Sequence, residues 1–357
     1  MSEEQKQAEA ILALMTPEEK VWQLLFVTPE SLTGVETATV SGETTQQALE
    51  AMPVGGIVYF AANLEDETQA KLMLSNVQTY CRIPLFLGVD EEGGIVQRIG
   101  KNELLGGTEI PSMQSLGDAG DPAAVYAAGG TIAANLQHLG FNLDFAPVAD
   151  VAENKNAVIG SRSFGTDPAL CASLVSVMSQ SLRDHNIISC LKHFPGYGSA
   201  TADDHNGTAY VEKSAEELEA FDLLPFKEAI DSPFIMVSHL SLPNVTGSDT
   251  PADLSPEIVT NLLRNKLGYE NVIITDSQQM ASVTDLYSCG DAALKAFHAG
   301  CDMILMPTDP AAAHDAILQA VQSGSISETR LNESVLRILT VKAQYGLLPT
   351  PEAMTAE

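Results

Sequence analysis

Asp203 and His205 lie two residues apart in the stretch 192–205, which reads Lys-His-Phe-Pro-Gly-Tyr-Gly-Ser-Ala-Thr-Ala-Asp-Asp-His. At that spacing the carboxylate can accept a hydrogen bond from one imidazole nitrogen and leave the other nitrogen directed at a substrate. An apolar, β-branched run at residues 187–191 precedes the stretch, which predicts a buried strand that ends in polar residues and continues as a loop. The local pattern fits both a proton-transferring pair and a merely solvated polar loop.

The rest of the chain alternates short apolar runs with amphipathic helices, whose starts carry proline or a capping box, as at Thr16-Pro17-Glu18-Glu19. The apolar runs are continuous, as in strands that are covered on both faces of a parallel sheet. Eight such units predict an α/β fold, a closed (β/α)8 TIM-type barrel forming a single domain over residues 1–357, rather than an open doubly wound sheet. The predicted strands are 23–28, 56–60, 85–90, 142–148, 187–193, 234–239, 272–276 and 303–306.

In such a barrel the active site gathers at the carboxyl ends of the strands, and polar residues follow the predicted strands at these points. Acids next to Arg and Lys suit a sugar, because carboxylates accept hydrogen bonds from hydroxyl groups while the cations donate to hydroxyl or acetamido oxygens. The predicted ring consists of Asp90, Glu91, Glu92, Arg98, Arg162, Lys192, His193, His239 and Asp276.

Composition excludes some partners and processing states. With 18 basic and 47 acidic residues the formal charge is −29, which argues against nucleic acid or an anionic membrane as a partner. The five cysteines are scattered and mostly lie in apolar runs, which favours reduced core residues over disulfides or a zinc site. The sequence contains neither an apolar run of about 18 residues nor the apolar core of a signal peptide. We therefore expect a cytoplasmic protein as written, or an exported one if a leader was removed.

Several strings resemble glycoside hydrolase family 3, and within it the β-N-acetylhexosaminidase branch. The similarity spans most of the chain in the same order, and the Lys-His-Phe-Pro-Gly segment followed by Asp-x-His is specific to that branch. The strings are Val89-Asp-Glu-Glu-Gly-Gly-Ile-Val-Gln-Arg98, Phe145-Ala-Pro-Val-Ala-Asp-Val151, Ile159-Gly-Ser-Arg-Ser-Phe164, Lys192-His-Phe-Pro-Gly-Tyr-Gly198 with Asp203-Asp-His205, and Ile274-Thr-Asp-Ser-Gln-Gln-Met280.

The resemblance implies a retaining, exo-acting β-N-acetylglucosaminidase that needs no cofactor or metal. Asp276 matches the position of the nucleophile, and His205, paired with Asp203, matches the acid/base. The expected partner is an N-acetylglucosamine-containing saccharide or muropeptide, which suggests a role in peptidoglycan or amino-sugar turnover. The positions that match the family's binding site for the terminal sugar are Asp90, Arg98, Arg162, Lys192 and His193.

The chemistry of retention is consistent with these roles. A carboxylate must lie close to the anomeric carbon, and a second group must first give a proton to the leaving oxygen and later take one from water. An imidazole with a reference pKa of about 6.5 can do both near neutrality if a partner fixes its tautomer. Asp276 must stay ionised to attack, so Lys192 and Arg162 are expected to favour its charged form.

The chain departs from the usual family pattern at several positions. Tyr197 replaces a histidine, Ser199 an aspartate and Ile95 an arginine, and Ser277-Gln278 replaces an aspartate and a leucine. None of these changes touches the proposed nucleophile or the Asp-His pair. These replacements instead affect the subsite preference, including the fit of an N-acetylmuramic acid on the aglycone side. They also affect closure of the loop that carries His205.

Other functions stay open at this point. A glycoside phosphorylase would use the same residues. A histidine as the acid/base would repel an attacking phosphate less than a glutamate in that role. A metal-dependent barrel hydrolase would take its ligands from His193, His205, His239 and Asp276. A substrate-assisted hexosaminidase would need a carboxylate pair, but Asp90 and Glu91 are adjacent and should face opposite ways. A non-catalytic sugar-binding barrel would not need Asp276.

Overall fold

The computed structural model describes residues 2–154, 157–200, 202 and 207–355. Within these residues, eight parallel strands follow one another around a single sheet in the order β7-β6-β5-β4-β3-β2-β1-β8. A parallel bridge between Ile274 and Met303 joins β7 to β8 and closes the sheet, which confirms the predicted (β/α)8 barrel. The strands are β1 Leu25–Val27, β2 Gly56–Val58, β3 Phe86–Val89, β4 Leu143–Asp144, β5 Ile188–Phe194, β6 Phe234–Val237, β7 Val272–Thr275 and β8 Ile304–Leu305.

Helices surround the strands, and many begin at a side-chain cap. Thr16 and Glu19 form the predicted capping box, and Asp121 and Asp167 cap the two long helices that flank β4. The α-helices are α1 Glu3–Leu12, α2 Pro17–Gln23, α3 Pro29–Thr33, α4 Glu43–Ala51, α5 Glu67–Thr79, α6 Met113–Ala119, α7 Pro122–Leu139, α8 Pro168–Asp184, α9 Ala215–Ala220, α10 Leu224–Glu228, α11 Pro243–Thr246, α12 Ala281–Thr284, α13 Cys289–Ala299, α14 Pro310–Gln322, α15 Glu328–Gln344 and α16 Pro351–Thr355, with a π-helical segment at Glu257–Lys266.

Every predicted strand is present, but most are shorter than predicted. The first was predicted to begin at Gln23, which instead ends α2. The fourth was predicted over 142–148 and is only Leu143–Asp144. Pro147 has no N–H to donate, so it interrupts the ladder, and pairing resumes only as a single bridge from Val148 to Lys192. The extent of the single domain over residues 1–357 stays a prediction.

Aromatic rings fill the barrel interior. The Phe26 and Phe145 rings meet edge to face, with centroids 5.3 Å apart. Glycines on the neighbouring strands leave space for them, because a Cβ at Gly56 would lie 2.6 Å from the Phe26 ring and one at Gly88 would lie 2.8 Å from the Phe145 ring. Side chains at these two positions would force the rings out of a close-packed core.

Helix α15 lies across the amino-terminal ends of several strands. Near its end, Lys342 is fully buried, its Nζ donates to Gln23 Oε1 over 2.8 Å, and it lies 4.9 Å from the centroid of the Phe86 ring. Burial lowers the pKa of Lys342 to about 7. No helix among the described residues has the length and apolar character needed to cross a membrane.

The middle of α15 is tied to the start of β8 through Asp302. This fully buried carboxylate accepts hydrogen bonds from Arg264, over 2.7 Å, and from Arg337, over 3.1 Å. It also accepts from the Ile273 N–H and the Ser334 hydroxyl. Burial alone would raise the pKa of Asp302, but the surrounding arginines hold it below its usual value. One carboxylate therefore joins α15, the π-helical segment and the strand ends.

Asp302→Asn should lower the free energy of unfolding by about 3–5 kcal/mol, because it leaves buried guanidinium groups without their counter-charge. Urea denaturation measures the change. Asp315→Asn is the matched control, since the Asp315 side chain is 77% exposed beside His314, and it should change stability by about 1 kcal/mol or less. Equal effects of the two substitutions would contradict the structural role given to Asp302.

Candidate active site

A cavity of about 580 Å³ opens at the carboxyl-terminal ends of the strands. Its volume lies within the usual range for small-molecule sites. It is lined by six of the eight residues to which the family resemblance gives a catalytic or binding role, and also by Glu92 of the predicted ring. Strand β5 and the segments after β3, β4 and β7 bring the six together. The six are Asp90, Arg98, Arg162, Lys192, His193 and Asp276. The other two predicted site residues, Asp203 and His205, lie outside the described residues.

The carboxylate of Glu92 lies at the centre of the cationic part of the cavity. It accepts hydrogen bonds from Arg162 Nε and Nη2, both over 2.8 Å. It also forms an ion pair with Lys192 Nζ at 2.6 Å, and the Glu92 and Lys192 side chains are only 2% and 3% exposed. Burial alone would raise the pKa of Glu92, but Lys192 and Arg162 lower it to about 2. Glu92 is therefore ionised at neutral pH.

Asp90 and Arg98 form the more exposed part of the same cluster. Lys192 Nζ donates to Asp90 Oδ1 over 2.7 Å, whereas Arg98 Nη2 lies 3.8 Å from Asp90 Oδ2. Arg98 Nε is buried and has no hydrogen-bond partner among the described residues. Glu91 points the other way, and its carboxylate accepts from the N–H groups of Arg98, Ile99 and Gly100. Glu91 therefore holds the loop that carries Arg98, while Asp90 faces the cavity.

His193 is oriented by Asp150. Its Nδ1 lies 2.7 Å from Asp150 Oδ2, and its backbone N–H donates to Asp150 Oδ1 over 3.1 Å. The Tyr197 N–H also donates to Asp150 Oδ1, so the same carboxylate holds the start of the following loop. Because the ionised carboxylate only accepts, Nδ1 carries a hydrogen, and Nε2 lies 3.5 Å from Arg162 Nη2 at the cavity.

Asp276 lies at the end of β7, where its backbone N–H donates to the Val237 carbonyl over 2.8 Å. Its Oδ1 accepts from the Ser277 N–H over 2.7 Å. Burial would raise the pKa of Asp276, but His193 and His239, then the Ser277 N–H and Lys192, hold it below its usual value. The sequence predicted Lys192 and Arg162 as the stabilising groups; in the structure the two imidazoles contribute more than Lys192.

No group of three or more potential ligands from His, Cys, Asp and Glu that could hold a metal ion occurs in the described part of the chain. Of the four residues that a metal-dependent hydrolase would use as ligands, two are in contact with other protein groups. His193 Nδ1 faces Asp150, and His239 Nε2 lies 2.8 Å from the Ser277 carbonyl oxygen. A third, His205, lies outside the described residues.

The family model of the glycosyl hydrolase family 3 N terminal domain matches residues 16–341. The chain belongs to glycoside hydrolase family 3. "Beta-hexosaminidase LpqI" of Mycobacterium tuberculosis is 34% identical over 346 residues, 93% of this chain and 84% of the relative. "Beta-hexosaminidase A" of Pseudoalteromonas piscicida is 32% identical over 336 residues, 85% of this chain, and the match spans about half of that longer relative, 55%. The resemblance predicted from the sequence is confirmed.

Solved structures give the same assignment. A glycoside hydrolase family 3 beta-N-acetylglucosaminidase from Paenibacillus sp. str. FPU-7 superposes with a TM-score of 0.87 at 34% identity, covering 93% of this chain and 63% of that one. A beta-glucoside phosphorylase, BglX, superposes with a TM-score of 0.84 at 22% identity, which shows a common fold alone.

Three features of this family 3 site were given no catalytic or binding role from the sequence, although Glu92 and His239 belong to the predicted ring. Glu92 and Asp150 occur within the strings that carry the resemblance, and Glu92 lies two positions after Asp90, the spacing that places side chains on one face. The third is the contact between His239 and Asp253, whose Nδ1 and Oδ1 atoms are 3.0 Å apart. Asp253 carries no local signal, because it lies in an irregular connection after β6.

Glu92→Gln should lower the free energy of unfolding by about 3 kcal/mol at neutral pH, because Lys192 and Arg162 lose their buried counter-charge. The pKa of Glu92 in the folded protein, about 2, lies below its usual value of 4.5. Its contribution is therefore complete above pH about 4.5 and is lost as the pH falls towards 2. Denaturant titrations of both proteins from pH 3 to 7 measure the difference.

The matched control for that comparison is Glu103→Gln, an exposed carboxylate on the same loop after β3. It should change stability by less than about 0.5 kcal/mol. A stability difference between Glu92→Gln and the unmodified protein that stays constant from pH 3 to 7 would contradict the depressed pKa of Glu92.

Proposed function

We propose that this family 3 chain is a retaining, exo-acting β-N-acetylglucosaminidase that uses Asp276 as its nucleophile. The observation that carries the proposal is the position of Asp276. Its carboxylate lines a cavity together with Asp90, Arg98 and Lys192, and its pKa is held low despite burial. An ionised carboxylate beside an array of hydroxyl-binding groups is the arrangement that glycosidic retention requires.

The polar residues of the cavity suit one terminal sugar. Asp90 can accept from hydroxyl groups, and the unpartnered Nε of Arg98 can donate to one. His193 Nε2, with its tautomer fixed by Asp150, faces the cavity beside Arg162. The 2-acetamido group needs a donor for its carbonyl and an apolar neighbour for its methyl group. The cavity lining offers both, since Phe60, Val96 and Met280 lie among its polar groups.

The reaction follows in two steps. In the first, a carboxylate oxygen of Asp276 attacks the anomeric carbon while His205 gives a proton to the departing glycosidic oxygen, which forms a glycosyl-aspartate and releases the aglycone. In the second, His205 takes a proton from a water molecule that attacks the same carbon, and Asp276 is released. Asp203 holds the imidazole tautomer throughout.

The segments on either side of the Asp203 and His205 pair support its assignment to the rim of the cavity. Before it, the Glu153 N–H donates to the Gly198 carbonyl over 3.0 Å, which fixes the chain to the loop after β4. After it, the Val211 N–H donates to the Ser241 carbonyl over 2.9 Å, close to the end of β6. The pair thus belongs to a connection that starts and ends at the carboxyl-terminal face of the barrel.

The substrates proposed are saccharides or muropeptides with a terminal β-linked N-acetylglucosamine, in peptidoglycan or amino-sugar turnover. The names of the relatives from Mycobacterium tuberculosis and Paenibacillus support a hexosaminidase acting on this sugar. Phosphorolysis is the competing reaction for the same residues. Product analysis with and without phosphate separates the two, because only a phosphorylase gives a sugar 1-phosphate.

Asp276→Asn should lower kcat for a chromogenic β-N-acetylglucosaminide by roughly 10⁴-fold or more, because the amide cannot form the glycosyl bond. Initial rates on this substrate and on the matching β-glucoside measure the loss and the sugar preference. Asp285→Asn, an exposed carboxylate further along the same connection, should retain full activity. Activity that persists in Asp276→Asn, or that appears only on the β-glucoside, would reject the proposed function.

His205→Ala should remain able to form the glycosyl-enzyme from a substrate with a good leaving group, because such a group departs without protonation. Turnover should then be limited by the second step, and added azide should accelerate it and yield the β-glycosyl azide. Proton NMR identifies the anomer. Rates that azide leaves unchanged, or an α-glycosyl azide product, would remove His205 from the acid/base role.

A further inference from the structure

A buried pair of titratable side chains lies directly behind the nucleophile. His239 follows β6, and Asp253 belongs to the 3-10 turn Ala252–Leu254. Both side chains are 0% exposed, and His239 Nδ1 lies 3.0 Å from Asp253 Oδ1. Backbone bonds hold the two segments together, because the Asp253 N–H donates to the Ser238 carbonyl over 3.1 Å. The proposed reaction gives neither residue a role.

The imidazole of this pair is connected to Asp276 through one residue. His239 Nε2 lies 2.8 Å from the carbonyl oxygen of Ser277. The N–H of Ser277 donates to Asp276 Oδ1 over 2.7 Å. A carbonyl oxygen only accepts, so Nε2 carries a hydrogen. The contact between Nδ1 and the Asp253 carboxylate then requires a second proton, shared by those two groups.

That shared proton allows two charge states of the pair. One is an imidazolium beside a carboxylate, and the other is a neutral imidazole beside a carboxylic acid. The imidazole lies between Asp253 and the Ser277 peptide, on the side of Asp276. The negative charge of Asp276 therefore favours the state that places a positive charge on the imidazole.

We propose that His239 and Asp253 act as positioning residues for Asp276: the pair fixes the Ser277 peptide that orients the carboxylate and presents an imidazolium to it. The inference rests on the proposed function, in which Asp276 is the nucleophile. Asp253 acts through His239, and His239 acts through Ser277 and through its charge. Neither residue lines the cavity described above.

The other charged and titratable groups that face the pair and Asp276 come from several elements. His193 and Lys192 of β5 and His239 itself favour the ionised form of Asp276 and lower its pKa, against the effect of burial. Burial raises the pKa of Asp253, and His239 counteracts the rise. From the turn before β8, the Cys301 thiol donates to the Asp253 carbonyl over 3.4 Å. His193 also has a buried carboxylate partner, Asp150, but His193 lines the cavity, whereas His239 lies outside it and contacts Asp276 only through Ser277.

The first test is the pH profile of kcat/KM, whose acid limb reports ionisation of the nucleophile in the free enzyme. Asp253→Asn should move the acid limb up by about 1 pH unit or more, because the imidazole loses the charge that keeps it protonated. His239→Gln should move it in the same direction, since the amide can donate to the Ser277 carbonyl but carries no charge. KM should change little in both, because neither residue lines the cavity.

His314→Gln is the matched control. His314 also lies beside a carboxylate, with its Nδ1 3.0 Å from Asp315 Oδ1, but it belongs to α14 and stacks on Trp22. Its acid limb should match that of the unmodified protein. A pair that is only structural would lower the melting temperature of Asp253→Asn and leave the acid limb in place, and that result would overturn the inference.

A second measurement uses the unmodified protein and needs no turnover. Nitrogen-15 NMR of the seven histidines distinguishes a doubly protonated imidazole from a neutral one. The His239 signals, assigned through contacts with neighbouring residues, should remain those of an imidazolium at pH 8, and the imidazolium should be lost in Asp253→Asn. A neutral His239 at pH 8 in the unmodified protein would overturn the proposal even if the variants fail to fold.

The role of Asp276 as the nucleophile and the positioning role of the His239–Asp253 pair can fail separately. If Asp276→Asn keeps its activity, the proposed function fails whatever the state of His239. If Asp276→Asn is inactive while the acid limb of His239→Gln is unmoved, Asp276 remains the nucleophile and only the positioning role of the pair is lost.

Discussion

The site depends on one buried carboxylate that holds two cations together. Glu92 is almost inaccessible to solvent and contacts Lys192 at 2.6 Å and Arg162 at 2.8 Å. Two buried cations without an anion between them would repel each other and would be poorly solvated. Because the three residues come from the loop after β3, from β5 and from the loop after β4, the ion cluster also fixes the distances between those elements. The positions of Asp90 and His193 follow, since Asp90 is two residues before Glu92 and His193 directly follows Lys192.

This cluster also determines the surroundings of Asp276. Lys192 and Arg162 are already paired with Asp90 and Glu92, and in the described residues no cation forms an ion pair with Asp276 at contact distance. A carboxylate in a direct salt bridge would be a weaker nucleophile, because part of its negative charge would be neutralised. Imidazoles at a greater distance keep Asp276 ionised without occupying the oxygen that would attack. The barrel thus keeps the ion-paired acids, Asp90 and Glu92, apart from Asp276, which stays available to act as the proposed nucleophile.

The barrel and the residues at its rim could be predicted from the sequence because their signals are local. Continuous apolar runs indicate buried parallel strands, and the carboxyl ends of such strands converge, so Asp90, Lys192 and Asp276 were expected to meet. Partner choice was not predictable in the same way. Whether Asp90 or Glu92 pairs with Arg162 depends on the path of the loop after β4, and the contact from His239 to Asp253 depends on an irregular connection. The roles of Asp203 and His205 stay predictions.

Helix α15 and the cavity lie at opposite ends of the barrel. Lys342 lies over Phe86 near the amino-terminal ends of the strands, and the cavity lies at their carboxyl-terminal ends. In the proposed reaction, a departing aglycone and an arriving water molecule would both pass through this cavity, one after the other. In the proposed two-step reaction the aglycone would therefore leave before water enters, and another sugar that binds in its place would compete with water for the glycosyl-enzyme. If such a sugar wins this competition, its hydroxyl group accepts the glycosyl residue, and the product is a new glycoside formed by transglycosylation.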